Sequence, residues 1–246
     1  INDHSSAAYQ LLPLAYLRLE ALGVTHPWMT RMKGVYRKFW TEGQLRSAAA
    51  AEVLGALSSA GVPALGSADL QAQAVAHHPG AIRTNETRIG LRWSDAGEAL
   101  AALRSAGLPS QPVLPRGRST RGHLVRFESS VTASAGQQVR ITDSPMIRSF
   151  GRNASEALWQ SVEPAERKHQ VQLTAAQLLY WSLTRDLDKP GTGWIASTAH
   201  LLLSLSGEGG AEDVVKVVDP IGDQPEWADP IARRIAEFER LTGTKI

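Results

Sequence analysis

Seven arginines fall between Arg116 and Arg152 (Arg116, Arg118, Arg121, Arg126, Arg140, Arg148 and Arg152), against only two acids, Glu128 and Asp143. A guanidinium stays charged at any working pH and carries five donors suited to phosphate or carboxylate, so this stretch points to anion chemistry. From Ser206 to Asp229 the balance inverts, with seven acids and the single cation Lys216. The two stretches read either as an anion-binding region or as charge complementarity within the chain. A net charge of +2 is too small to argue for nucleic acid by itself. The loop Arg116-Gly117-Arg118-Ser119-Thr120-Arg121-Gly122 could grip phosphates or RNA, but it has no interleaved aromatics for base stacking. A solvated loop is the better reading, and RNA binding ranks as a secondary alternative.

Other reactive side chains are scattered. His77 and His78 are adjacent, and neighbours on a helix splay about 100° apart, with no further His or acid at the spacing a metal needs. His123, His169 and His200 are isolated in sequence, so no general base is assigned and no catalytic residue is named. The chain has no cysteine, which excludes disulfides, thiolate metal sites and cysteine nucleophiles, and fits a reducing cytoplasm. Pro190-Gly191-Thr192-Gly193 is not a phosphate-binding loop, since no Lys-Ser or Lys-Thr follows, and reads as an ordinary helix start. The seven tryptophans fall mostly at apolar positions of helices and strands, which suggests core packing.

The elements that must position these residues form three zones. Hydrophobic content of 43% with 20% charge describes a folded globular chain, and no apolar run approaches the ~18 residues of a membrane span. Neither a membrane partner nor a signal peptide is expected, and a first residue of Ile predicts that some native N-terminal sequence is missing. Residues 1–60 read as an N-terminal helical segment: a helix that ends near Gly23, a new start at Pro27, and an alanine-rich helix closed by Gly61. Residues 61–145 alternate. Val62–Leu65 is a strand candidate, Gly66-Ser67 turns into a helix reaching His77–Gly80, and Thr87–Trp93 is a second strand. Asp95 with Glu98 forms a capping box for a helix that stops at Gly107. Strands at His123–Glu128 and Gln137–Thr142 follow, joined by the small polar loop SSVTASAG. Residues 146–246 return to helix, with a second capping box at Thr174–Gln177, a helix from Trp194 to Leu205, and a last helix opened by Pro230. The fold class expected is α/β (α+β), a mixed sheet core flanked by N- and C-terminal helical segments.

The opening LLPLAYLRLEALGV, the later YRKF and LRSAAAAEVLGALSSAGVPAL, and the strand–turn–helix after it resemble a bacterial family of uncharacterised nucleotidyltransferases, of the polymerase-β-like superfamily. The resemblance covers nearly the whole chain through individually modest motifs. It implies a nucleotidyltransferase-like core, with Leu65-Gly66-Ser67 as the hydrophobic-Gly-Ser turn that meets a nucleotide. The lysine that usually follows the glycine is absent. Arg83 matches an arginine ahead of a metal-binding Asp-x-Asp pair. That pair falls on Arg88 and Gly90, or on Thr87 and Ile89 in the alternative register. A third acid falls on Arg140, and the acid of a tail motif, aligned with Gly193–Ser197, falls on serine or threonine. In the family's geometry residues 88 and 140 would face each other on neighbouring strands.

The resemblance therefore implies a fold without its Mg²⁺ ligands. Two carboxylates on one strand face are what hold Mg²⁺ over a triphosphate, whereas arginine repels the metal and attracts the phosphate. The expectation is a degenerate member without two-metal nucleotidyl transfer, either a non-catalytic pseudoenzyme or a repurposed enzyme, with no metal or other cofactor. Its site would be formed by Gly66, Ser67, Arg83, Arg88 and Arg140. The partner would be an anionic small molecule, nucleotide or peptide, and relatives in bacterial peptide natural-product biosynthesis favour a modified peptide. The bland reading is that Arg88 and Arg140 meet solvent or pair with Glu86 and Glu128. The functional alternative is an active nucleotidyltransferase moving a nucleoside monophosphate from NTP to a hydroxyl, with Asp69 or Glu86 replacing the lost ligands. Oligomeric state is left open.

Overall fold

The computed structural model describes residues 7–75, 78–82, 87–112, 127–143, 159, 163–164, 170–173, 177–178, 182, 198 and 225–242. The chain is a mixed α/β protein with helices at both ends of the described part. It divides into two compact units, one of Ile1–Thr41, Ala72–Arg83 and Thr174–Ile246, the other of residues 42–71 and 84–173.

The second unit carries the sheet. Its strands are β1 (Ala64–Gly66), β2 (Thr87–Gly90), β3 (Ser110–Pro112), β4 (Glu128–Thr132), β5 (Gln138–Thr142), β6 (Glu163–Pro164) and β7 (Gln170–Gln172). They lie in the order β3-β4-β5-β2-β1-β7-β6. The β1–β2, β3–β4, β4–β5 and β6–β7 pairs are antiparallel, while β2–β5 and β1–β7 are parallel. A parallel pair cannot be closed by a tight turn, so β2 and β5 need a crossover, and α4 (Ala96–Ser105) lies within it. Ile89, Leu91, Val131, Val139 and Ile141 supply the sheet's side of one core, met by Ala99 and Leu103 of α4 and by Ala49, Val53 and Leu57. The last three belong to the C-terminal part of α2 (Pro27–Ser59), where an i, i+4, i+8 spacing keeps them on one helix face.

The first unit holds α1 (Ala7–Ala21), the start of α2, and α5 (Pro225–Thr242). Tyr9 meets Phe39 edge-on at 5.6 Å, and Tyr16 lies 5.8 Å from Tyr36, so α1 and α2 form an antiparallel hairpin. A single turn of 3-10 helix, Pro79–Ala81, packs against α1. Glycine is required there, because a Cβ on Gly80 would come within 2.8 Å of Tyr36 Cε2 and 3.0 Å of the Tyr36 carbonyl. Among the described residues of α5, Arg234 and Phe238 are buried one turn apart. Separately in this unit, Ser182 and Thr198 hydrogen-bond through their hydroxyls at 2.8 Å, both fully buried.

Several expectations need correction. The polar stretch after Glu128 is not a loop. Ser129 to Thr132 continue as β4, with Ser129 and Val131 facing inward, and the connection is the tight turn Ala133–Gln137. Period-2 alternation decided this where small polar composition misled. Strand β2 stops at Gly90, and Trp93–Asp95 is already a 3-10 turn. Asp95 does sit at the N-cap of α4, but its side chain makes no cap bond. It accepts instead from Ser94 Oγ at 2.7 Å, and its helix-like φ of −95° and ψ of −4° take it out of the extended geometry a capping box needs. The last helix begins at Pro225 rather than Pro230, with Pro225 taking the first helical position where its missing N–H costs nothing. The strand expected at His123 and the helix starts near Thr174 and Trp194 lie outside the described residues.

Candidate functional site

β1 ends at Gly66, Ser67 occupies the N-cap, and α3 (Ala68–Val75) runs on from it. The Ser67 carbonyl accepts the first helical bond, from the Gln71 N–H at 3.0 Å. Its hydroxyl does what a capping serine ordinarily does not: it is buried, with the residue only 4% exposed, and has no hydrogen-bond partner. An orphaned buried hydroxyl costs about 1–3 kcal/mol, so most are satisfied. Gln71 braces the turn from behind. Its Nε2 donates to the Gly66 carbonyl at 2.7 Å, and its Oε1 accepts from the Leu173 N–H, also at 2.7 Å. One side chain thus ties β1 to the residue that follows β7.

Arg88 and Arg140 are register partners on the parallel strands β2 and β5. Thr87 and Ile89 flank Arg88 and face the core side with Val139 and Ile141, so alternation puts both arginines on the opposite face of the sheet. The row extends outward to Ser130 on β4 and Gln111 on β3. On the other side Gly66 pairs with Ile89, which sets Ser67 one step further, beside Arg88. Gln111, Ser130, Arg140, Arg88 and Ser67 therefore line up across the sheet as one polar row, ending at the N-terminus of α3. Arg88 is half-buried and Arg140 exposed. Arg140 is not bare: its guanidinium bonds Glu128 Oε1 at 3.0 Å. That is the bland expectation for Arg140, and it holds together with the predicted juxtaposition. Arg83 and Glu86 lie outside the described residues, as do the Arg116–Gly122 loop and Pro190–Gly193.

The row does not suit a divalent cation. The positions that the resemblance assigns to metal ligands carry Arg88, Gly90 and Arg140, and the neighbouring carboxylate, Glu128, is engaged with Arg140. Among the described residues no three His, Cys, Asp or Glu side chains converge as metal ligands would. Asp69 lies in the first turn of α3, half-buried. His78 is exposed, with its carbonyl accepting from Ala81 at 2.8 Å.

No family model matches this chain, and neither a curated protein nor a solved structure does. The site must be judged on its own atoms. A helix N-terminus presents free amides and a positive dipole end, and two guanidinium-bearing strands lie beside it. The chemistry available is anion recognition. Sequence reasoning found Gly66, Ser67, Arg88 and Arg140 but missed Gln71, whose partner Leu173 is 102 residues away and leaves no periodic signal. It also missed Thr87, whose Oγ1 is a second buried hydroxyl without a partner, on the core side of β2.

Proposed function

We propose that this chain is a nucleotidyltransferase-fold protein that has lost two-metal chemistry and binds an anionic ligand at the β1–α3 turn, in the cytoplasm. The observation that carries this reading is the Ser67 hydroxyl, buried and unpartnered at the start of α3, in register with Arg88 and Arg140. A phosphate or carboxylate oxygen there would accept from the hydroxyl and from the first amides of α3. Arg140 would exchange Glu128 for the ligand. An ion pair whose arginine is 45% exposed is worth only about 0–1 kcal/mol after screening, so a doubly charged phosphate can displace it. Gly66 is in register with Ile89, so a Cβ there would point to the core side, meeting Leu54 and Gln71 at 3.7 and 3.9 Å, and the glycine does not itself widen the polar row. The ligand class is an anionic small molecule, nucleotide or peptide, bound by a non-catalytic protein or by an enzyme repurposed to metal-free chemistry, and relatives of the resembled family in bacterial peptide natural-product pathways put a modified peptide among the candidates.

Calorimetric titration with pyrophosphate and with ATP, each with and without Mg²⁺, tests the proposal. Binding indifferent to Mg²⁺ and weakened by Ser67→Ala and by Arg88→Ala is expected. Binding that requires Mg²⁺, or no binding of either anion, would reject it.

A further inference from the structure

Far from the polar row in sequence, the tip of the α1–α2 hairpin leaves apolar side chains uncovered. Leu22 is 61% exposed, Trp28 53% and Val24 39%. All three fall within seven residues where the chain reverses. Cations are close in sequence. Between residues 18 and 40 there are five, Arg18, Arg31, Lys33, Arg37 and Lys38, against Glu20 alone. Arg18, Arg31 and Lys33 lie within about two helical turns of the tip and are exposed. The Arg31 guanidinium rests over the Trp28 ring at 5.2 Å. Glu20, the one acid, is exposed and accepts from the Tyr16 hydroxyl one turn back on α1.

The backbone of the tip is also prepared for an apolar medium. The Leu22 N–H donates to Arg18 O, Gly23 N–H to Glu20 O and Val24 N–H to Leu19 O, at 3.0 to 3.1 Å. The Trp28 N–H reaches His26 Nδ1 at 3.3 Å, and Met29 N–H reaches the His26 carbonyl at 2.9 Å. At these five positions, internally satisfied amides lower the cost of leaving water. An apolar end on a helical hairpin, with exposed cations within about two turns and an arginine over its tryptophan, is the arrangement of a surface-bound element. Apolar side chains enter the headgroup boundary while Lys and Arg hold anionic headgroups.

We propose that the α1–α2 tip docks on an anionic lipid surface, with Leu22, Val24 and Trp28 inserted and Arg18, Arg31 and Lys33 on the headgroups. This is a surface contact, independent of the Ser67 site. No helix among the described residues is long and apolar enough to cross a membrane.

Co-sedimentation of the full chain with vesicles tests this. Vesicles of equal phosphatidylglycerol and phosphatidylcholine should bind the chain, whereas phosphatidylcholine alone should not, and high salt should weaken the interaction. A Leu22→Ser/Trp28→Ser double variant should bind about tenfold more weakly, and Arg31→Glu/Lys33→Glu should lose binding, both with unchanged melting temperatures. No binding to the anionic vesicles, or full binding by the Leu22→Ser/Trp28→Ser variant, would overturn the proposal. Equal affinity for soluble poly-glutamate would reassign the tip to an acidic chain. A dimer in light scattering that the same variant splits would reassign it to a second copy.

Discussion

Helices α1, α2 and α4 stop in the same way but meet different surroundings. In each, a glycine with positive φ (Gly23 at 69°, Gly61 at 78°, Gly107 at 76°) follows the last turn. The next amide reaches back five residues: Val24 to Leu19, Val62 to Leu57, and Leu108 to Leu103. This is the Schellman arrangement, which ordinarily brings an apolar pair together across the end of the helix. In the sheet-bearing unit both pairs are buried, with Leu57 and Leu103 at 0% exposure, Val62 at 1% and Leu108 at 6%. In the helical hairpin Val24 is 39% exposed and Leu22 beside it 61%. The local motif fixes where a helix ends, while the sheet decides whether the apolar residues behind that end are covered. Where nothing covers them, their exposure becomes a property of the surface, and the local motif accounts for Val24 but not for Leu22 or Trp28.

The largest way to break this contrast is to truncate one side chain from each region. Leu57→Ala and Leu103→Ala should each cost about 2–5 kcal/mol, since each removes a fully buried side chain and leaves a cavity. Leu22→Ala should change stability by no more than about 0.5 kcal/mol. Urea unfolding of the three variants reads this directly. A Leu22→Ala loss as large as that of Leu57→Ala would show that the tip is covered after all.

A smaller effect separates crowded glycines from strained ones. Gly80→Ala drives a Cβ to 2.8 Å from Tyr36 Cε2 and 3.0 Å from Trp40 Cβ, which should cost about 1–3 kcal/mol through displaced packing. Smaller again are Gly23→Ala, Gly61→Ala and Gly107→Ala, where nothing lies within 4 Å of the new Cβ. Their cost is the left-handed backbone alone, about 1–2 kcal/mol each. It should be similar for all three, because φ is similar, whatever the burial nearby. Thermal melts that rank Gly23→Ala far below the other two would mean that the end of α1 is frayed, and that the comparison of the three helix ends is unequal.

How much of this was written in the sequence follows the same division. Gly23, Gly61 and Gly107 mark helix ends from the chain alone, because a left-handed stop is a local requirement that glycine meets best. The Gly66-Ser67 turn is legible as a local break between an apolar strand and an alanine-rich helix, although Gly66 itself ends β1 without a left-handed φ. Asp95 carried a local signal that failed, because a 3-10 turn in front of α4 changed its backbone geometry. Arg88 and Arg140 could be singled out only through the resemblance, since strand register depends on a partner 52 positions away. That Leu22 and Trp28 are uncovered could not be read at all. An apolar residue at helical spacing looks the same whether or not another element arrives to cover it. The orphaned Ser67 hydroxyl belongs to this class too, since a missing partner is visible only when every neighbour is placed.

The smallest expected effect titrates. Within the sheet-bearing unit, the Ala133–Gln137 turn is tied to α2 by one carboxylate. Glu52 accepts from the Ser134 hydroxyl, and from the Ser134 N–H at 3.0 Å. These two bonds favour the ionised form and hold the Glu52 carboxyl below the ordinary glutamate value. The bonds therefore stabilise the fold fully above the unfolded-state value, and that stabilisation is lost as pH falls through the lowered folded-state value. Glu52→Gln removes the titration while keeping one acceptor. The melting temperature of Glu52→Gln should lie below that of the natural protein near neutral pH and converge on it once pH has fallen through the lowered folded-state value. Leu22→Ser, which alters no ionisable group, serves as the reference whose offset stays constant with pH. A Glu52→Gln offset that is equally flat would mean that the Ser134 bonds do not persist in solution, and the sheet unit would then owe its stability to apolar burial with no titrating tie at this turn.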